Sequence, residues 1–116
     1  MHEVTPERFE ELVAEALDTV PESLLALLSN VVVLVEDWPP SGEGTLLGRY
    51  EGIPLTERGT RYSGVLPDRI SIYRRPILAM CRTDADVVRE VNITVVHEIA
   101  HHFGIDDHRL HELGYG

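Results

Sequence analysis

Apolar residues recur at Phe9, Leu12, Val13, Ala16 and Leu17, with charged residues between them. That spacing is the repeat of a helix with one buried stripe. Thr5, Pro6 and Glu7 supply its start: a capping hydroxyl, a proline at the first helical position and an acid at the positive end of the dipole. The pattern predicts a helix from about Pro6 to Thr19. Pro21-Glu22 opens a second, shorter helix through about Leu28. The period then changes. Val31 to Val35 is an unbroken apolar run, mostly β-branched, and predicts a buried strand. Leu46 to Tyr50 predicts a second strand. Arg69 to Tyr73 sets Ile70 and Ile72 against Ser71 and Tyr73, which predicts a strand with one buried face, ended by Pro76. Asp37 to Gly44 and Thr56 to Pro67 read as loops. Arg61 and Tyr62 in the longer one are candidate substrate contacts. Trp38 is expected to cap the core, and Met80 to lie in it.

The longest helical pattern comes last. Thr83-Asp84-Ala85-Asp86 resembles a capping box, with Asp in place of the usual Glu. From there the spacing is helical through Phe103. Val88, Val91, Val95 and Ile99, with Ala100 and Phe103, form an apolar face. Glu90, Thr94, His97 and His101 lie along another. The two histidines are therefore expected at the exposed end of a helix whose other side is buried, which is how a rigid element holds a site. A short helical segment follows near Asp107 to Leu113. These elements predict an α+β fold: N-terminal helices, a small three- to four-stranded sheet, and the long helix packed on it. The length suits a single domain spanning residues 1–116.

That helix ends in His97-Glu98-Ile99-Ala100-His101-His102-Phe103-Gly104-Ile105-Asp106-Asp107. Residues four apart share a helical face, so His97 and His101 can turn two imidazoles to one metal ion. Zinc accepts neutral imidazole at about 2.0–2.1 Å. Glu98 sits beside the first ligand, where it can take a proton from a metal-bound water. Gly104 permits the left-handed turn that ends the helix. The turn brings Asp107 round as a third ligand. Two imidazoles and one carboxylate leave the fourth tetrahedral position to water, the layout of a catalytic rather than a structural zinc site. His111, then His108, are rival third ligands, and Asp106 competes with its neighbour. His102 lies about 100° round the helix and reads as a surface or supporting residue.

The H-E-x-x-H-x-x-G-x-x-D run resembles the zincin metallopeptidases, in the metzincin-like form with Asp as third ligand. The segments Leu66-Pro67-Asp68-Arg69-Ile70 and Tyr73-Arg74-Arg75-Pro76-Ile77 extend the resemblance to a family of minimal zincin-like peptidases. It implies zinc-dependent hydrolysis of peptide or protein substrates, with His97, His101 and Asp107 on the metal and Glu98 as general base. It also implies a substrate aligned along an exposed sheet edge, for which Leu46 to Tyr50 and Arg69 to Tyr73 are the candidates. Larger metzincins continue to a Met-containing turn and a lower subdomain. Here no Met follows Met80, so either another protomer supplies the lower wall or the cleft is open and the activity weak, and Tyr115 is the one downstream candidate for stabilising a transition state. Two other readings compete: a metal-binding or regulatory module that never turns over substrate, and a metal hydrolase acting on a small amide.

Composition narrows the partners. A net charge of −10 argues against a nucleic-acid surface, since nothing here neutralises a row of phosphates, and argues more weakly against anionic membranes. The apolar stretch from Leu24 to Val35 is interrupted by Ser29 and Asn30 and is too short to span a bilayer. Cys81 is the single cysteine and forms no intrachain disulfide. With no signal-peptide pattern at Met1 to Pro6, the expected location is the cytoplasm. Asn92-Ile93-Thr94 matches a glycosylation sequon, which inside a predicted helix is an accident. The oligomeric state cannot be read from these residues.

Overall fold

The computed structural model describes residues 2–40, 44–52 and 67–115. The first helix, α1, spans Pro6–Asp18. Thr5 caps it by accepting from the Arg8 amide at 3.1 Å. Phe9, Leu12, Val13 and Ala16 are buried, as the stripe predicts. Helix α2, Glu22–Leu25, runs into one turn of 3₁₀ helix at Ala26–Leu28. Three strands follow: β1 at Val31–Glu36, β2 at Gly48–Glu51 and β3 at Asp68–Tyr73. Helix α3 covers Arg74–Ala79, α4 covers Asp84–Phe103 and α5 covers Asp107–Glu112. The architecture is α+β, as expected.

The sheet order is β1-β3-β2, with β1 parallel and β2 antiparallel to β3. Three expectations are corrected here. Arg69 to Tyr73 is the central strand and offers no edge to a substrate. Its Ser71 and Tyr73, expected on a solvated face, are buried along with Ile70 and Ile72. β3 has a strand on each side, and both of its faces are covered here. Val31 to Val35, expected to be buried, is instead an outer strand of the described sheet, and its Val32 and Leu34 are each 41% exposed. Val31, Val33 and Val35 do pack on the core.

Three further departures are local. Trp38 is 61% exposed and Met80 is 58% exposed, so neither belongs to the core. The third strand ends at Tyr73, as expected, but Pro76 does not end it: helix α3 has already begun at Arg74, and Pro76 lies within its first turn, where a proline is tolerated. Thr94 is buried, whereas Phe103 is exposed. The loop with Arg61 and Tyr62 lies outside the described residues.

One core joins α1, the inner face of the sheet and α4. Phe9 and Leu12 meet Ile70, Ile72, Val91, Val95 and Ile99 there. Asn92 is buried between the two long helices. Its amide nitrogen donates to Ala16 O at 3.2 Å and to Thr19 Oγ1 at 3.0 Å. Its side chain is thus committed to the interior, as befits an accidental sequon. The buried Arg74 guanidinium is satisfied by Asp37 Oδ1 and by Val4 O, each at 2.9 Å. That hydrogen bond holds the Asp37 carboxyl below the usual range. Among the described residues, no helix is long and apolar enough to cross a membrane.

Candidate functional site

Helix α4 is anchored before it reaches the site. Thr83 and Asp86 form the reciprocal capping box the sequence predicts, at 3.1 and 3.2 Å. Gly104 closes the far end at φ 69°, a left-handed conformation that glycine adopts without a Cβ clash. The Ile105 amide then returns to Ala100 O at 2.8 Å. The chain turns at once into α5, whose cap is Asp106: its carboxylate accepts from the Arg109 amide at 2.9 Å. Asp106 is thereby engaged in the backbone, and Asp107 is the first residue of the new helix.

This turn brings the predicted residues round one space. A cavity of about 270 Å³ is lined by His97, Glu98, His101 and Asp107, with Ala100, Ile105 and Leu110 supplying its apolar wall. His108 and His111 are not among its walls. They line a neighbouring cavity of about 550 Å³ that shares His97 and Asp107 but not His101. His97, His101 and Asp107 are exposed. No other described residue engages their side chains by hydrogen bond or ion pair. The fit to zinc is therefore one of donor chemistry: two imidazoles one helical turn apart and a carboxylate, all without partners among the described residues, round a common space. Their side chains do not converge on a point. Among the described residues no three His, Cys, Asp or Glu groups stand close enough together to hold one ion. Cys81 does not enlarge the donor set, because burial pushes its thiol up to about 11 and leaves it neutral.

Glu98 is the one member with a fixed partner. Its Oε1 accepts from the Tyr50 amide on β2 at 2.8 Å. The strand runs beside this end of α4, and the approach is close. A Cβ on Gly48 would stand 2.7 Å from Thr94 Cγ2 and 2.9 Å from Ser71 O. A glycine in a strand signals such an approach of another element, and that signal was available in the sequence. A cavity of about 350 Å³ lies here, walled by Leu46, Leu47, Gly48, Ile93, His97 and Glu98. Thus β2, an outer strand of the described sheet, is the candidate edge that lies beside the motif.

Tyr50 was not marked by any sequence pattern. Its ring stacks on His102 with centroids 3.8 Å apart and planes 20° from parallel. Its hydroxyl donates to Asp68 Oδ2 at 2.8 Å. Tyr115 lines the cavities on the other side of His97, but its hydroxyl donates to Asn92 Oδ1 at 2.5 Å. That bond sets it as a wall rather than a free proton donor.

A small α+β fold that presents H-E-x-x-H at the open end of its longest helix, beside a sheet edge, defines a zincin-like class. Residues 28–116 match the zincin-like metallopeptidase family, and the chain belongs to it. The fold is similar to that of a conserved hypothetical protein from Thermo thermophilus, at 30% identity and a TM-score of 0.56, over 86% of this chain and 94% of that one. No curated protein matches the chain.

Proposed function

We propose that the protein is a zinc-dependent peptidase acting on peptide or protein substrates in the cytoplasm, with no nucleic-acid or membrane partner. The observation that carries this reading is the cavity shared by His97, Glu98, His101 and Asp107. His97, His101 and Asp107 hold the metal. Bound zinc supplies a Lewis acid that lowers the pKa of water and polarises a carbonyl. Glu98 does the proton work: one carboxylate oxygen is held by the Tyr50 amide, which leaves Oε2 to take a proton from the attacking water and return it to the leaving amine. An extended substrate can lie in the cavity walled by Leu46, Leu47 and Gly48 at the start of β2, since the Tyr50 amide farther along that edge is already engaged by Glu98.

The test joins metal analysis to a peptide-library digest. Protein purified without chelator should carry about one zinc per chain, as one open three-ligand site implies. A His97→Ala, His101→Ala double variant should carry none. Glu98→Gln should keep both zinc and fold and lose about 10²–10⁴-fold in cleavage rate, the usual worth of a positioned base. Unchanged zinc in the double variant overturns the metal assignment. Equal cleavage by wild type and Glu98→Gln places the activity elsewhere. Zinc without any cleavage selects the binding module instead.

A further inference from the structure

We infer that Tyr50 is the positioning residue for Glu98: its amide holds the base, and its ring holds the amide. The inference rests on Glu98 being that base. The argument begins with the register of β2. Its pairing with β3 sets Gly48 opposite Ile72, Arg49 opposite Ser71 and Tyr50 opposite Ile70. Just before it, Leu47 turns its carbonyl toward β3 and accepts from the Tyr73 amide at 2.9 Å. Residues of an antiparallel pair alternate between hydrogen-bonded and non-hydrogen-bonded positions. Counting from Leu47, Tyr50 falls where the main chain faces away from β3. Its amide points off the edge, and Glu98 Oε1 is there to accept it at 2.8 Å.

A single hydrogen bond from a strand end would leave the carboxylate loosely placed, because the edge could drift from the helix. The Tyr50 side chain restrains that drift from two directions. Its ring stacks on His102, which lies one helical turn beyond Glu98 and so on the same side of α4. It also meets Phe103 edge-on, at 5.8 Å and 83°. Its hydroxyl reaches Asp68 on the central strand at 2.8 Å. One residue thereby ties β2, β3 and the motif end of α4 together around the base. Gly48 admits the close approach, since a side chain there would strike Thr94. Orientation matters because small misplacements at a reacting centre cost large factors in rate.

Two measurements test this, one independent of turnover. Hydrogen exchange at the Tyr50 amide is followed by NMR in wild type, Glu98→Gln and Glu98→Ala. The amide should be protected in the first two, since the Gln oxygen still accepts, and should exchange about tenfold faster or more in Glu98→Ala. Kinetics on a peptide cleaved by the wild type then compare Tyr50→Ala with Tyr50→Phe. The Ala variant should lose about tenfold in kcat with KM and zinc content unchanged, and Phe should recover most of the loss. Equal exchange in all three proteins overturns the tie. A Tyr50→Ala loss carried in KM, or no loss, overturns the positioning role. If the wild type cleaves nothing, the peptidase reading fails by itself, and the exchange comparison still decides whether Tyr50 holds Glu98.

Discussion

At its first turn α4 is held by short-range chemistry and packing. Thr83 and Asp86 bond each other's backbones, and the Arg82 amide adds a third bond to Asp86 at 2.9 Å. The Arg82 and Thr83 amides keep the Asp86 carboxyl below its ordinary range. Val87, Val91 and Val95 are then fully buried against a core that includes α1. Toward its last turn the same helix keeps Ile99 and Ala100 in the core and leaves its other side to solvent. His97, His101 and His102 are exposed, Gly104 ends the helix with no side chain, and a further restraint comes from the edge of the sheet through Tyr50. One end is secured so that the other can present unpartnered donors. Placing polar groups without partners costs least where water still reaches them, and a rigid helix carries that placement over its length.

Two phenylalanines break or sustain this contrast most sharply. Phe9 is fully buried, and Phe103 is 40% exposed. Phe9→Ala should cost about 3–5 kcal/mol through lost burial and a cavity. Phe103→Ala should cost on the order of 1 kcal/mol, through its edge-on contacts with Tyr50 and His102. Urea unfolding of the metal-free protein measures both without a contribution from bound zinc. Similar costs would mean that the motif end is as tightly packed as the anchored end.

What was legible in the chain follows the same division. The anchored parts announce themselves, because periodicity and caps are local. Thr5, Pro6, Thr83 and Asp86 stand at the helix starts their residue types predict, and Gly104 ends α4 as expected. The motif was legible as spacing, and the turn at Gly104 does bring Asp107 to a cavity with His97, Glu98 and His101. What was not legible depends on neighbours distant in sequence. Ser71 and Tyr73 look solvated until β1 and β2 are known to flank β3. Val32 and Leu34 look buried until β1 is known to turn only Val31, Val33 and Val35 to the core. Tyr50 meets Glu98 through its amide, which every residue but proline has, and its ring and hydroxyl find His102 and Asp68 only once the chain is folded, so no local pattern marks it.

Gly48 is the joint between the two regions, and a smaller change there should pull them apart. Gly48→Ala forces a Cβ to within 2.9 Å of the Ser71 carbonyl oxygen and 2.7 Å of Thr94 Cγ2. The first is backbone of the central strand and cannot swing aside. Overpacking of this kind costs about 1–3 kcal/mol. Because the strain falls on β2, the Tyr50 amide should also lose protection from hydrogen exchange while amides in the first half of α4 keep theirs. Uniform loss along the whole helix would mean that its two ends are not separable.

The smallest effect concerns the anchored end and its response to acid. Asp84, in the first turn of α4, accepts from His2 Nε2 at 2.7 Å and from Arg8 Nη2 at 3.0 Å. The His2 hydrogen bond leads, with Arg8 next, in holding its carboxyl below the ordinary value of 3.8. A carboxylate whose folded pKa is depressed stabilises the fold only while ionised. Its contribution is therefore complete above the ordinary value and is lost as pH falls through the lower, folded one. Asp84→Asn removes the charge but keeps the shape. The variant should be slightly less stable than wild type near neutrality, and the gap should close as the pH falls through the folded pKa of Asp84. Both groups are solvent-accessible, so added salt should narrow the gap as well. Thermal melts at several pH values below about 5, at low and high salt, read this directly. A gap that is unchanged by acid would mean that the N-terminal segment is held to α4 by packing, with no contribution from the Asp84 charge.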